Sequence, residues 1–422
     1  MGLVAIAVAL GILVVPVSGA AQTPLPGPDL PGHSAPSLQR ADATASALSR
    51  DRLQRKLRKL ARKAPGASGF YVEEIGAKGK AGIFGSKEGK RCRLASNTKL
   101  FTTATALGRL GGTSRIDTVV RRRGKLEKGK LRGNLYRVGG GDPSFGASGV
   151  RLLARQVAHS GIRRVAGDLI ADDTIFDRLR GVPDSGYGPS EYVAPLSGLV
   201  YGGSTYDGDP AKEAAKAFEK KLRKRGVRVK GKIRVDGTPK SAAADKPIAT
   251  FGSPSIASLI EETNHNSNNF YAEMLLKRIW ATPKRQGTTK GGTRAVETFA
   301  RQHGSEIEAK DGSGLTANNL SSPRDVVNLL VAMRKERDAE AYYDSLPRPG
   351  EGTLEDRMTG TSAAKRCRAK TGTITGVSAL SGYCDLGKRT VAFSLLMNGV
   401  SDLESAHRIQ DEMTVAISKY KP

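Results

Sequence analysis

The sequence predicts an α/β (α+β) fold, with strands and helices at both ends of the chain and a mixed middle. Three observations carry that expectation. Apolar residues recur at three- and four-residue steps in several stretches, the periodicity of helices. Short apolar stretches closed by glycine-rich turns read as strands, both before position 90 and after position 370. The 422 residues suffice for two or three domains and a large core.

Taken in order, the chain opens with an apolar run, Leu3 to Val17, closed by Ser18-Gly19-Ala20. Small residues there fit a signal peptide over 1–20, cleaved after Ala20, and hence a secreted, extracytoplasmic protein. No Lys or Arg follows Met1, and an uncleaved membrane anchor is the competing reading. Positions 21–45 are rich in Pro, Ser, Gly and Ala and read as a disordered linker. Leu48, Leu53, Leu57 and Leu60, with Arg and Lys between them, predict a basic amphipathic helix whose leucines pack on their own domain. Strands are expected at Gly69 to Glu74 and Ala81 to Phe84, and a helix from Ser96 through Leu107. Further strands are expected at Asn134 to Val138 and Leu169 to Ala171, then a helix at Pro210 to Arg225 and strands within Val227 to Val235. Helices follow at Ser255 to Glu262 and Asn269 to Ile279, strands at Ser378 to Cys384 and Val391 to Met397. Ala406, Ile409, Met413, Ile417 and Tyr420 mark a last amphipathic helix.

The formal charge of +27 draws anionic partners. Much of it lies in Arg50 to Lys63 and in Arg121-Arg122-Arg123. Aromatic residues make up only 5% of the chain, too few for the stacking platforms of single-stranded nucleic-acid binders. No zinc-ligand spacing of Cys and His is visible, so neither metal nor cofactor is expected. Cys367 and Cys384 flank a turn near Thr373 to Gly376 and could pair, leaving Cys92 as a spare thiol; three unpaired cysteines is the other reading.

No Gly-x-Ser-x-Gly elbow is present. Ser96-Asn97-Thr98-Lys99 offers a different nucleophile. Three positions apart on a helix, Ser and Lys share a face. A serine hydroxyl needs a base to take its proton, and a lysine can be that base once its pKa falls. Two further Ser-x-x-Lys copies begin at Ser362 and Ser418 and read as chance matches. Ser267-Asn268-Asn269 is the only Ser-x-Asn in the chain, and Lys370-Thr371-Gly372 the only Lys-Thr-Gly. Singly, Ser267 reads as a helix cap and Lys370 as a strand end. Together and in this order they form the motif set of class A β-lactamases and penicillin-binding proteins.

From about Ala45 to its C-terminus the chain resembles the class C penicillin-binding proteins, the D-alanyl-D-alanine carboxypeptidase/endopeptidase family of serine peptidases. Besides the three motifs, Gly140-Gly141-Asp142-Pro143-Ser144, Gly167 to Asp173 with Phe176-Asp177, and Asp311-Gly312-Ser313-Gly314-Leu315 are similar to family segments. The resemblance implies a β-lactamase/transpeptidase-like domain, an antiparallel sheet flanked by helices, from 46–143 and 244–422, with an inserted mixed domain at 144–243. It implies that Ser96 is the nucleophile, Lys99 the acylation base and Ser267 the proton relay, with Asn269 fixing Lys99 and the substrate. Lys370 and Thr371 would hold the terminal carboxylate, and Gly372 and Thr373 would line the substrate, the Ser96 and Thr373 N–H groups forming the oxyanion hole. Asp142 would hold an ammonium on the peptide side chain; as a residue before Pro143 it also reads as a turn former. The substrate would be peptidoglycan peptide, β-lactams would be covalent inhibitors, and anionic wall polymers or an acidic membrane surface would meet the basic charge; no nucleic acid is expected. Two departures stand out: Thr316-Ala317 where the family has Ser-Arg, and Tyr201 where it commonly has Asn. A serine β-lactamase and a non-catalytic wall-binding protein are the alternative readings.

Overall fold

The computed structural model describes residues 49–77, 81–202, 208–239 and 246–421. The expected signal peptide and linker lie outside the described residues. The first elements are α1 (Arg50–Ala61), β1 (Gly69–Ile75), β2 (Gly82–Ser86), β3 (Cys92–Arg93) and, after a 3-10 turn at Ala95–Asn97, α2 (Thr98–Leu110). Next come β4 (Arg115–Glu127), β5 (Lys130–Val138), α3 (Ala147–His159), β6 (Arg164–Val165), β7 (Leu169–Asp172), α4 (Pro210–Lys224), β8 (Arg228–Val229), β9 (Ile233–Val235) and β10 (Ala249–Ser255). The chain continues through α5 (Ile256–His265), α6 (Asn269–Trp280), α7 (Thr289–Gln302), β11 (Leu320–Ser321), α8 (Pro323–Met333) and α9 (Ala339–Asp344). It closes with α10 (Ser362–Arg366), β12 (Cys367–Ile374), β13 (Val377–Asp385), β14 (Thr390–Asn398) and α11 (Leu403–Ser418).

Both ends of the chain meet in one antiparallel sheet of five strands, in the order β12-β13-β14-β1-β2. Alternation along β13 and β14 sends successive side chains to opposite faces. Leu380, Cys384, Phe393 and Leu395 face a core shared with Leu53, Leu57 and Leu60 of α1 and with Met413 and Ile417 of α11. Ala379, Tyr383, Ala392 and Leu396 face the other core, with α2, α5, α7 and α8. Both faces are therefore covered, which is why these strands are apolar at nearly every position. Each leucine of α1 is buried, worth about 2 kcal/mol apiece, so its apolar stripe is spent inside the protein.

A second sheet has seven strands. β10, β4 and β5 pair antiparallel, β6 and β7 pair parallel with β5, and β8 and β9 extend them. α3 and α4 supply Val150, Leu153, Val157, Ala214, Phe218 and Leu222 to its core. The strands of this sheet begin at Arg115 and end at Ser255, beyond 144–243 on both sides. We propose that the inserted body be drawn by this pairing, at about 115–255. Cys367 and Cys384 sit opposite each other in β12 and β13 and form a disulfide; Cys92 is buried and unpaired.

Candidate active site

Ser96 lies in the 3-10 turn leading into α2 rather than in the α-helix itself. The preceding Ala95 has φ of 47°, a left-handed conformation rarely taken by residues with a side chain. Two glycines allow close approach to this turn. A Cβ on Gly314 would stand 1.8 Å from the Ala95 carbonyl oxygen, and one on Gly372 would stand 3.0 Å from the Ser96 nitrogen. Only glycine lets the 311–314 loop and β12 close on the serine from two sides.

Lys99 follows on the same face and is fully buried. Its Nζ reaches Ser96 Oγ at 3.0 Å, Asn269 Oδ1 at 2.7 Å and the Ser313 carbonyl at 2.7 Å. Asn269 Oδ1 and the Ser313 carbonyl can only accept. In the neutral amine they take its two N–H bonds and leave the lone pair facing Ser96. Burial lowers the Lys99 pKa to about 7, while the nearby Asp311 and Glu273 push it the other way. A lysine poised near neutrality beside a serine hydroxyl is an activated nucleophile pair.

The loop supplying the Ser313 carbonyl is itself held by carboxylates. Glu273 Oε1 accepts from the Gly312 and Ser313 N–H groups at 2.9 and 2.7 Å. Asp311 accepts from Gly314 N at 2.7 Å, Thr316 N at 2.6 Å and Asn319 Nδ2 at 2.9 Å. Burial first, and then the Asp311 charge, raises Glu273 to about 8; burial likewise raises Asp311. Thr316, where the family has Ser, thus anchors this loop through its backbone.

Asn269 and Ser267 come from the start of α6. Asn268 caps that helix through Tyr271 N at 3.1 Å, so the cap is Asn268 and not Ser267. Ser267 has φ of 55°, and among the described residues no hydrogen bond occupies its hydroxyl. Asn269 Nδ2 donates to the Tyr192 carbonyl at 3.2 Å, which brings the segment around 177–193 to the site. Lys277, two turns along α6, ties that segment down through Asp177 Oδ1 and the Leu179 carbonyl, each at 2.5 Å.

Lys370 is fully buried on β12, the edge strand of the five-stranded sheet. Its carbonyl accepts from Asn97 Nδ2 at 3.0 Å, and its Nζ donates to the Thr371 carbonyl at 3.1 Å. Burial, then the charge of Lys99, push its pKa well below the usual lysine value. Thr371 Oγ1 lies 2.8 Å from Thr353 Oγ1, and Thr373 is exposed. Asp142 is buried; Oδ1 accepts from Ser144 N at 2.8 Å and Ser144 Oγ at 2.6 Å, the bonds of a turn residue. Its Oδ2 has no partner among the described residues, and burial raises its pKa to about 6. The structure thus joins Ser96, Lys99 and Asn269 directly, brings Lys370 and Gly372 against the Ser96 turn, and leaves Asp142 outside this network.

Glu273, Ser313, Tyr192, Asn97 and Thr353 carry contacts that motif reading does not assign. Glu273 stands four residues after Asn269, a spacing that shares a helix face, and that signal was available. The Ser313 and Tyr192 contributions are backbone carbonyls, which leave no trace in residue type. Among the described residues no group of three or more His, Cys, Asp or Glu is arranged to hold a metal ion.

The model of the D-Ala-D-Ala carboxypeptidase 3 (S13) family matches residues 53–208 and 204–420. A D-alanyl-D-alanine carboxypeptidase from Actinomadura sp. (strain R39) is 30% identical over 431 residues, covering 80% of this chain and 79% of that protein. The D-alanyl-D-alanine carboxypeptidase DacB from Haemophilus influenzae is 24% identical over 394 residues, covering 74% of this chain and 82% of its own. In fold, penicillin binding protein 4 (dacB) from Haemophilus influenzae superposes with a TM-score of 0.71 at 22% identity, over 87% of this chain and 99% of that one. A predatory peptidoglycan endopeptidase from Bdellovibrio bacteriovorus superposes with a TM-score of 0.51 at 17% identity, over 78% of this chain and 85% of that one.

Proposed function

The chain belongs to the D-Ala-D-Ala carboxypeptidase 3 (S13) family, and from that premise we propose that it is a serine-type D-Ala-D-Ala carboxypeptidase of peptidoglycan, a class C penicillin-binding protein. The observation that carries the reading is the buried Lys99 amine 3.0 Å from the Ser96 hydroxyl, with its pKa brought to about 7.

Ser96 Oγ attacks the carbonyl carbon between the two D-alanines while Lys99 Nζ takes its proton. The negative charge developing on the carbonyl oxygen is met by the backbone N–H groups of Ser96 and Thr373. As the C–N bond breaks, the leaving D-Ala nitrogen gains a proton through Ser267, whose hydroxyl is free for that relay. The peptide remains as an ester on Ser96 until water releases it as a carboxylic acid. Lys370 and Thr371 hold the terminal carboxylate, whose own charge favours the ammonium form of Lys370 against the burial that lowers its pKa. Asn269 keeps the Lys99 lone pair aimed at Ser96 and presents its amide to the substrate backbone. Asp142 Oδ2 is the remaining acceptor for an ammonium on the peptide side chain.

β-Lactams imitate the D-Ala-D-Ala end and stop at the ester. If the leaving group is the amine of a cross-link, the same steps make a DD-endopeptidase. We infer that the enzyme works outside the cytoplasm, at the wall or the outer face of the membrane; the apolar run at 3–17, read as a signal peptide, supports this. Mass spectrometry of wall fragments incubated with the protein tests the reading. Loss of one D-Ala from pentapeptides is expected, and release of monomers from cross-linked dimers would add the endopeptidase activity. Fragments left unchanged in both respects would remove it.

A further inference from the structure

Helix α1 presents charge on the side away from its buried leucines. Arg55, Arg58 and Arg62, the last capping the helix, are exposed and fall at steps of three and four residues. At 1.5 Å rise per residue they form a row of cations about 5–6 Å apart. Beside the end of this helix a cleft is lined by Arg58, Arg62, Lys87 and Ser68, and no carboxylate contributes to its walls. Lys87 reaches the Gly66 carbonyl in the same cleft at 2.6 Å. Ser68 is 4% exposed, and its hydroxyl has no hydrogen-bond partner among the described residues. None of these side chains belongs to the catalytic network.

Three cations around one cleft, with the Glu88 carboxylate beside Gly85 already paired with Arg324, suit a phosphate group. The partial negative charge at the helix C-terminus, roughly half an elementary charge, opposes an anion less than the facing cations attract it. A row leading to such a cleft suits an anion that repeats. We propose that α1 and the cleft at its C-terminal end bind a linear polyol-phosphate polymer, holding the enzyme on the wall independently of catalysis.

Two other polyanions fit less well. A lipid surface needs apolar side chains to insert, but Leu53, Leu57 and Leu60 are committed to the core. Single-stranded nucleic acid needs exposed aromatic faces, but the phenylalanines of this cleft, Phe70 and Phe84, are 1% and 6% exposed.

The test compares two double variants of equal charge loss, Arg58→Gln/Arg62→Gln in the cleft and Arg122→Gln/Arg123→Gln on β4. The probe is a glycerol-phosphate oligomer of about ten units, titrated at several salt concentrations. The cleft variant is expected to bind at least about tenfold more weakly, with the slope of log K against log salt reduced by about 1.4. The β4 variant should lose less than about threefold. Release of D-Ala from a small soluble peptide should be unchanged in both, and Ser96→Ala protein should bind the oligomer as wild type does. Equal weakening by the two variants would overturn the proposal. So would tighter binding to anionic lipid vesicles, or to single-stranded DNA of the same phosphate count.

Discussion

The Lys99 amine and the Asn269 amide oxygen are joined by a hydrogen bond of 2.7 Å across 170 positions of sequence. The bond ties the base on α2 to the start of α6, and through Asn269 Nδ2 to the Tyr192 carbonyl. Asn269→Ala removes one of the two acceptors that orient the Lys99 lone pair. Acylation by a β-lactam should slow by at least about tenfold without loss of the fold, the scale of a misdirected general base. A rate within twofold of wild type would mean that the Ser313 carbonyl alone suffices.

Lys99→Arg keeps the charge, but a guanidinium stays protonated near neutral pH. The variant should acylate at least about 100-fold more slowly, measured by stopped-flow binding of a chromogenic β-lactam. A rate within a few-fold of wild type would assign the proton to another group.

The pH profile follows from the same lysine. Below a pKa of about 7 Lys99 carries a proton and cannot accept one from Ser96, so acylation should rise with pH and level off above that point. Glu273 and Asp311 hold this pKa up against burial. Glu273→Gln keeps an acceptor for the Gly312 and Ser313 N–H groups and removes the fraction of charge this carboxyl holds below its raised pKa of about 8, so the profile should move slightly to lower pH. A profile that stays in place or moves up would leave Glu273 a loop anchor only.

Asp142→Asn keeps the bonds to Ser144 through the amide oxygen and loses the carboxylate. A peptide with a free side-chain ammonium should then show a raised KM, while its N-acetylated analogue should not change. Equal effects on both peptides would leave Asp142 as a turn residue.

Removing the disulfide with Cys367→Ser/Cys384→Ser should lower stability by about 2–3 kcal/mol, the scale for a loop of this length, as read from denaturant midpoints. No change in midpoint would mean that the β12–β13 pairing already fixes the hairpin.

Much of this was legible in the sequence because it depends on local spacing. The Ser96–Lys99 step, the helix after it, the α6 segment and the β13–β14 hairpin all show in three- to ten-residue windows. The second sheet was harder to see. Arg121-Arg122-Arg123 reads as a solvated charge run, yet it lies in the middle of β4. Its buried positions, Ile116, Thr118 and Val120, alternate before the arginine run begins. That β4 pairs with β10, more than 100 residues on, is a non-local choice that no short window records. The Ser313 and Tyr192 carbonyls were invisible for another reason, since every residue has one.

The two spare Ser-x-x-Lys copies provide the control for the central claim. Ser362 and Ser418 lie 2.6 Å apart, hydrogen-bonded to each other, and neither touches Lys99. Peptide mapping after reaction with labelled penicillin tests the account most directly. The label should appear on the peptide containing Ser96, persist in Ser362→Ala and Ser418→Ala, and vanish in Ser96→Ala. Labelling that survives in Ser96→Ala would contradict the account.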